Sequence, residues 1–217
     1  MSAAPASKPG LDPQLSALVV HDLKNRLAIL TDELAQLGRL ALPDEAHEHA
    51  RQASLQAQLL TRRLMEFLTA HRAVEQGGLR ASPAEEMPDA LLLELATDAQ
   101  TLLHGRLEVR QQLDDNPPFW FFDRQLARLA LDSAIYNALR FARSRITLGL
   151  RVAGDELCFY VWDDGPGLQS KPASTSTGLG GLVCEEVARA HRNHGRQGRS
   201  VLRNHEQGGA VFELFLP

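Results

Sequence analysis

Glu156-Leu157-Cys158-Phe159-Tyr160-Val161-Trp162-Asp163-Asp164-Gly165-Pro166-Gly167 is a run of strand-forming residues that ends in two carboxylates and two glycines. With Arg145–Val152 ahead of it and the turn Ala153-Gly154-Asp155 between, it reads as the second arm of a strand pair. Downstream, a short polar stretch from Gln169 to Thr177 leads to Gly178-Leu179-Gly180-Gly181, the start of a helix expected over Thr177–His191. Upstream, Asp123–Ala142 is a long amphipathic helix that carries Tyr136-Asn137-Ala138-Leu139-Arg140-Phe141.

The rest of this half follows the same mixture. Ala90–Leu103 is apolar at helical spacing, Leu107–Leu113 alternates as a strand, and Asp114-Asp115-Asn116-Pro117-Pro118 is a turn. Phe119–Phe122 reads as a short aromatic strand, and Gly209–Leu216 closes the chain with an alternating one. Strands and helices mix without strict alternation, so the expected fold is α+β, a sandwich of helices over one mixed sheet.

These residue types suit one kind of ligand. A carboxylate at a strand end, Asp163, can accept from an exocyclic amine. Glycines after it, Gly165 and Gly167, let a flat ring approach the backbone. Glycines at a helix start, Gly178 and Gly180, leave N–H groups free for phosphate. Asn137 offers a hard oxygen to Mg²⁺, which takes few protein ligands and bridges phosphates. Arg140, one turn later, can reach a phosphate.

The first third of the chain is different. Residues 1–10 are largely Ala, Ser, Pro and Gly and read as a loose tail. Asp12-Pro13 reads as an N-cap and first helical position. A helix follows to about Leu40, with Leu42-Pro43-Asp44 as a break and a second helix to about Val74. Residues 11–76 thus form a helical hairpin, and 77–88, with Pro83 and Pro88, link it to a domain over 89–217. Leu23, Leu27, Leu30, Leu34 and Leu37 are spaced four, three, four and three apart, a coiled-coil seam. One hairpin has too little core to stand alone. Two copies paired as a four-helix bundle would bury both seams, so a homodimer is expected. His21 falls off the seam, Asn25 lies one turn further along the same face, and Asp22 adjoins it. A carboxylate beside an imidazole can orient the ring and raise its basicity, as a nucleophilic nitrogen needs.

Bulk properties exclude several classes. The 217 residues are 44% hydrophobic and 23% charged, ordinary values for a globular protein. A net charge of −4 and a pI near 6.1 give no bulk attraction to nucleic acid or anionic membrane. No apolar run approaches the roughly 20 residues of a membrane span, and Met1–Gly10 has no signal-peptide core. A cytoplasmic protein is expected, with any sensing segment on another protein or absent. Cys158 and Cys184 form no CxxC pair and read as buried thiols. His47, His49, His191 and His194 read as surface histidines without a metal set. Trp120 with its phenylalanine neighbours reads as core. Arg192, Arg196, Arg199 and Arg203 read as a solvated basic loop.

Taken in order, these segments resemble the core of a bacterial two-component sensor histidine kinase. The resemblance covers residues 12–217, as a dimerisation hairpin followed by an ATP-binding domain of the GHKL superfamily. His21-Asp22-Leu23-Lys24-Asn25 looks like the phospho-acceptor box. Asn137 matches the Mg²⁺-binding Asn of the N box. Asp163, Gly165 and Gly167 match the first glycine box, whose Asp reads adenine, and Gly178 and Gly180 match the second, which meets the phosphates. Val211–Pro217 looks like the final strand. Four departures stand out. Ser133 sits where a second Asn is common, Arg26 replaces a usual Pro, and Gly181 replaces a usual Leu. The stretch between the glycine boxes is also short and has no phenylalanine box.

The resemblance implies an ATP-dependent protein-histidine kinase with ATP and Mg²⁺ as cofactors. It would autophosphorylate His21, with Asp22 as orienting base, and pass the phosphoryl group to an Asp of a response regulator receiver domain. An acidic residue after the His, with Asn25 one turn on to place a water, also suits phosphatase action on that regulator. The alternative is a histidine phosphotransferase or adaptor with a degenerate ATP-binding domain that relays phosphate from another kinase. A serine kinase of the anti-sigma type shares the nucleotide domain, but the His21 hairpin argues against it.

Overall fold

A computed structural model describes residues 13–38, 40, 43–103, 106–168 and 178–217, without the side chains of 13–21, Lys24, Asp44 and Gln76. The expected tail, the Asp12 cap and the stretch Gln169–Thr177 lie outside the described residues. The chain packs as two compact units, Met1–Met65 and Glu66–Pro217.

The first unit holds helix α1, Pro13–Leu37, and most of helix α2, Asp44–Gln76. Both run close to the expected limits. The leucine seam of α1 is not covered within its own unit: Leu23, Leu30 and Leu37 are 42%, 46% and 41% exposed. Leu27 and Leu34 are half-buried. Exposed apolar side chains at coiled-coil spacing are what a helix presents to a partner helix.

The second unit is the α+β layer. After the end of α2 come strand β1, Ala84–Glu86, and helix α3, Pro88–Leu103. Strands β2, Glu108–Leu113, and β3, Trp120–Phe122, precede helix α4, Arg124–Phe141. Strands β4, Arg145–Ala153, and β5, Glu156–Asp163, form the foreseen pair, followed by helix α5, Leu179–Ala190. A small ladder joins β6, Arg192–Asn193, to β7, Arg196–Gln197. Strands β8, Arg199–Asn204, and β9, Ala210–Leu216, close the chain. The main sheet has the order β2-β4-β5-β9-β8. Only the β2–β4 pairing is parallel, so the sheet is mixed.

Alternation along the strands makes two faces. Ile146, Leu148 and Leu150 of β4, Leu157 and Phe159 of β5, and Leu214 and Leu216 of β9 are fully buried in one core with the apolar faces of α3, α4 and α5. The other face is polar and aromatic. There Tyr160 lies over Gly149, where a Cβ would fall 2.1 Å from its ring, and its hydroxyl donates to Asp114 Oδ2 (3.0 Å). Arg151 and Arg203 both bind the buried Glu213 carboxylate, at 2.6 and 2.8 Å. Burial alone would raise the Glu213 pKa, but these two guanidiniums hold it below the usual carboxylate value.

Several expectations are corrected. The 77–88 stretch is not a bare linker, because β1 pairs antiparallel with β3 and the Ser82 N–H donates to Asp123 Oδ2 (2.9 Å). The aromatic run is only partly core: Phe122 is buried, whereas Phe119 and Phe121 are 50% and 56% exposed. Arg199 and Arg203 lie in β8 rather than a loop, because their side chains find Glu156 and Glu213 across the sheet. His191 is 2% exposed rather than on the surface. Its Nε2 accepts the Asp123 N–H (3.0 Å), which leaves the hydrogen on Nδ1 to donate to the Val187 carbonyl (2.8 Å). This ring ties the end of α5 to the cap of α4. Both cysteines are buried thiols, as expected.

Burial pushes the His191 pKa below the usual imidazole value, although both hydrogen bonds and Asp123 act the other way. A group kept neutral by the fold contributes fully above its unfolded pKa of about 6.5, and that contribution is lost as pH falls below it. Urea unfolding checks this. His191→Ala is expected to lose about 2 kcal/mol at neutral pH, and its gap to the wild type should narrow in mildly acidic buffer.

Candidate nucleotide site

Helix α4 is the wall that both glycine segments touch. Asp123 caps it by accepting the Leu126 N–H (3.0 Å). Its buried side mixes small residues, Ala127, Ala130, Ser133, Ala134 and Ala138, with Leu131 and Ile135. Asn137 and Arg140 therefore fall on the exposed side. Arg140 stacks over Phe141 at 5.3 Å.

The first glycine segment meets the C-terminal end of α4. Asp163, the last residue of β5, is 6% exposed and accepts the Gly165 N–H through Oδ1 (2.8 Å). Burial raises its pKa, opposed by N–H bonds from Gly165 and Ala210. Gly165 has no room for a side chain: a Cβ would lie 2.4 Å from the Phe141 carbonyl oxygen and 2.6 Å from Asp163 Oδ1. Gly167 follows in the left-handed region (φ 79°). The adjacent Asp164 does a different job. It accepts the Arg143 N–H (2.8 Å) and the Ser144 hydroxyl (2.6 Å), tying β5 to the turn after α4. What little burial it has opposes ionisation, but these donors hold its carboxyl well below the usual range.

The second segment meets the middle of α4. Gly178 is the N-cap of α5 in the left-handed region (φ 69°) and makes no side-chain cap bond. A Cβ on Gly180 would stand 2.6 Å from Ser133 Oγ and 3.9 Å from Asn137 Nδ2. The first turn of α5 thus lies directly on the Ser133–Asn137 turn of α4. Five of the seven expected nucleotide-site residues (Asn137, Arg140, Asp163, Gly165 and Gly180) lie on α4 or in segments packed against it. Gly167 and Gly178 flank the stretch that is outside the described residues.

Mg²⁺ fits this donor set. Asn137 supplies one hard amide oxygen beside a helix start suited to phosphate, and an ion held mainly by phosphates and water needs little more from protein. Among the described residues no group of three or more His, Cys, Asp or Glu gathers.

One residue here was missed. Glu66, in α2, is 5% exposed and accepts the Ser133 hydroxyl (2.8 Å). It would lie 3.5 Å from a Cβ on Gly180. Its signal was a charge beside the apolar stripe of α2, flanked by Met65 and Phe67.

His21, Asp22 and Asn25 belong to the other unit, all within α1. The orientation expected for the His21 side chain lies outside the described residues. Asp22 and Asn25 are exposed. Asp22 Oδ2 accepts from Arg26 Nε at 2.7 Å, one turn along the helix. The residue that replaces the usual Pro thus binds the carboxylate expected to orient His21.

Residues 122–217 match the family described as histidine kinase-, DNA gyrase B-, and HSP90-like ATPase. The chain is 28% identical over 224 residues to the sensor protein KdpD of Escherichia coli (strain K12), covering 94% of this chain and 24% of the length of that relative. In fold it is similar to full-length ShkA crystallised with AMPPNP (TM-score 0.65, 19% identity, 95% of this chain and 46% of that one). It is also similar to the Acinetobacter baumannii histidine kinase AdeS (0.59, 20%, 90% and 96%) and to the cytoplasmic segment of histidine kinase QseC (0.55, 19%, 72% and 94%). The chain is thus similar to the sensor histidine kinases over most of its length, and its residues 122–217 match the histidine kinase-, DNA gyrase B- and HSP90-like ATPase family.

Proposed function

We propose that the protein is an ATP-dependent histidine kinase that phosphorylates its own His21 and passes the phosphoryl group to an Asp of a response regulator. The observation that carries this reading is the convergence of both glycine segments on the turn and end of α4 that present Asn137 and Arg140.

In this reading Asp163 accepts from the adenine amine, and Gly165 and Gly167 leave the ring a path to the backbone. The first N–H groups of α5, after Gly178 and at Gly180, bind phosphate oxygens. Asn137 would hold Mg²⁺, which would neutralise phosphate charge, and Arg140 would add a second cation. A ring nitrogen of His21 forms the new N–P bond as the bond from the terminal phosphorus to ADP oxygen breaks. Asp22 accepts a hydrogen bond from the other ring nitrogen and so fixes the tautomer. Asn25 places a water for the reverse, phosphatase role on the regulator.

Residues 11–76 serve as the dimerisation and phosphotransfer hairpin, 77–88 as the connection and 89–217 as the catalytic domain. The exposed Leu23, Leu30 and Leu37 support pairing with a second copy as a four-helix bundle. Among the described residues no helix is long and apolar enough to cross a membrane. We place these domains in the cytoplasm.

Incubation with ATP labelled in the terminal phosphate is the decisive test. Acid-labile, alkali-stable label is expected on the wild type and none on His21→Ala. No label on either would favour the phosphotransferase or adaptor alternative. Asp163→Asn is expected to weaken ATP binding about 10- to 100-fold in a calorimetric titration, the weight of one hydrogen bond to a charged group. Arg26→Ala frees the Asp22 carboxylate, and its initial rate of labelling is expected to rise a few-fold. An unchanged or lower rate would remove Asp22 from the orienting role.

A further inference from the structure

The hairpin between β8 and β9 grips the first glycine segment, and the chemistry above makes no use of it. Asn204 and Ala210 form the last pair of these two strands. From there Asn204 Oδ1 accepts the Leu168 N–H at 2.6 Å. Gly167 lies against the same oxygen: a Cβ there would fall 2.7 Å from Asn204 Oδ1 and 3.3 Å from the Gly209 carbonyl oxygen. The rest of the hairpin holds the other end of the segment. The Trp162 indole N–H donates to the Gly208 carbonyl (2.8 Å), and its rings stack on His205 at 4.0 Å. A Cβ on Gly209 would fall 1.7 Å from the Asp163 carbonyl oxygen, and the Ala210 N–H donates to Asp163. The tip closes on itself, with the His205 N–H on the Gly209 carbonyl (3.0 Å) and the Gly208 N–H on the His205 carbonyl (3.0 Å).

We propose that Asn204 is a positioning residue of the nucleotide site, holding the Asp163–Leu168 segment in the shape that reads the adenine amine. The proposal rests on the nucleotide-binding reading above. Gly165 and Gly167 give this segment little stiffness of its own. It is fixed at the strand end by the pairing of Trp162 with Val211, and at the far end by Leu168 on Asn204. Between these anchors the Gly165 N–H must stay on Asp163 Oδ1 (2.8 Å), the bond that aims the carboxylate. Gly167 must also keep its left-handed turn (φ 79°). Without Asn204 Oδ1 the segment is tethered at one end, the turn at Gly167 relaxes, and Asp163 loses its fixed aim. Asn204 thus acts through the Leu168 N–H and not on the ligand itself. The groups assigned to phosphate, on α4 and at the start of α5, do not depend on this anchor.

The test is calorimetric titration of the full chain with Mg·ATP and with Mg·inosine triphosphate, for the wild type, Asn204→Ala and Asn204→Asp. Inosine carries a carbonyl oxygen where adenine carries the amine, so the ratio of the two affinities reads the aim of Asp163. Asn204→Ala removes the acceptor, and Asn204→Asp keeps an oxygen in the same place. Asn204→Ala is expected to bind ATP about tenfold more weakly, the weight of one hydrogen bond, with inosine triphosphate affinity unchanged. Asn204→Asp is expected to keep the preference for ATP. A wild-type preference retained in Asn204→Ala would overturn the proposal and leave the nucleotide site standing. Equal losses for both nucleotides in Asn204→Ala, or no rescue by Asn204→Asp, would make Asn204 a support of the fold alone and overturn it too. A wild type that binds neither nucleotide, or binds both equally, would remove the adenine reading of Asp163, and this inference with it.

Discussion

Helix α4 buries one face in the core, and both glycine segments pack against it. Ala127, Ala130, Ser133, Ala134 and Ala138 on that face, beside Leu131 and Ile135, let neighbouring backbones come close, because small side chains hold them at short range. That closeness brings the Phe141 carbonyl within 2.4 Å of where a Gly165 Cβ would sit, and Ser133 onto Gly180. Any larger residue at Gly165 or Gly180 would push its segment off α4. The glycines are thus a packing requirement of α4 before they are a property of the ligand.

The two neighbouring aspartates show how this packing divides labour. Asp163 points inward, where burial raises its pKa, and it presents a desolvated acceptor. Asp164 points back at Arg143 and Ser144, whose N–H and hydroxyl donors lower its pKa. Strand alternation assigns the roles, since successive residues take opposite faces. The outward carboxylate fastens the turn after α4 so that the inward one stays in register with the helix end. His191 does the same for the opposite end of α4, through the Asp123 N–H.

Much of this was legible because it is local. Strands β4 and β5 announced themselves by composition and a Gly turn, and the two segments packed on α4 by glycines at a strand end and a helix start. What was not legible depends on partners far away in sequence. Arg199 and Arg203 look like loop residues until Glu156 and Glu213 are placed opposite them, and the strand they occupy was missed. His191 looks like any exposed histidine until Val187 and Asp123 close on both ring nitrogens. β1 was read as linker because three residues with two glutamates carry no strand signal, and only pairing with Trp120–Phe122 makes them one. Glu66 was read past because a charge in a helix usually faces water, and its partner Ser133 is 67 residues away.

Two departures from the family pattern gain a common meaning from these contacts. A Pro at position 26 would have no side-chain donor, whereas Arg26 binds the Asp22 carboxylate. An Asn at position 133 would be bulkier than Ser in a space where Oγ already lies 2.6 Å from the Gly180 Cβ position. It would crowd α5 or expel Glu66, so the small hydroxyl and the buried carboxylate require each other. In both places the substituted residue gives a carboxylate a partner within the chain, one beside His21 in sequence and one at the start of α5.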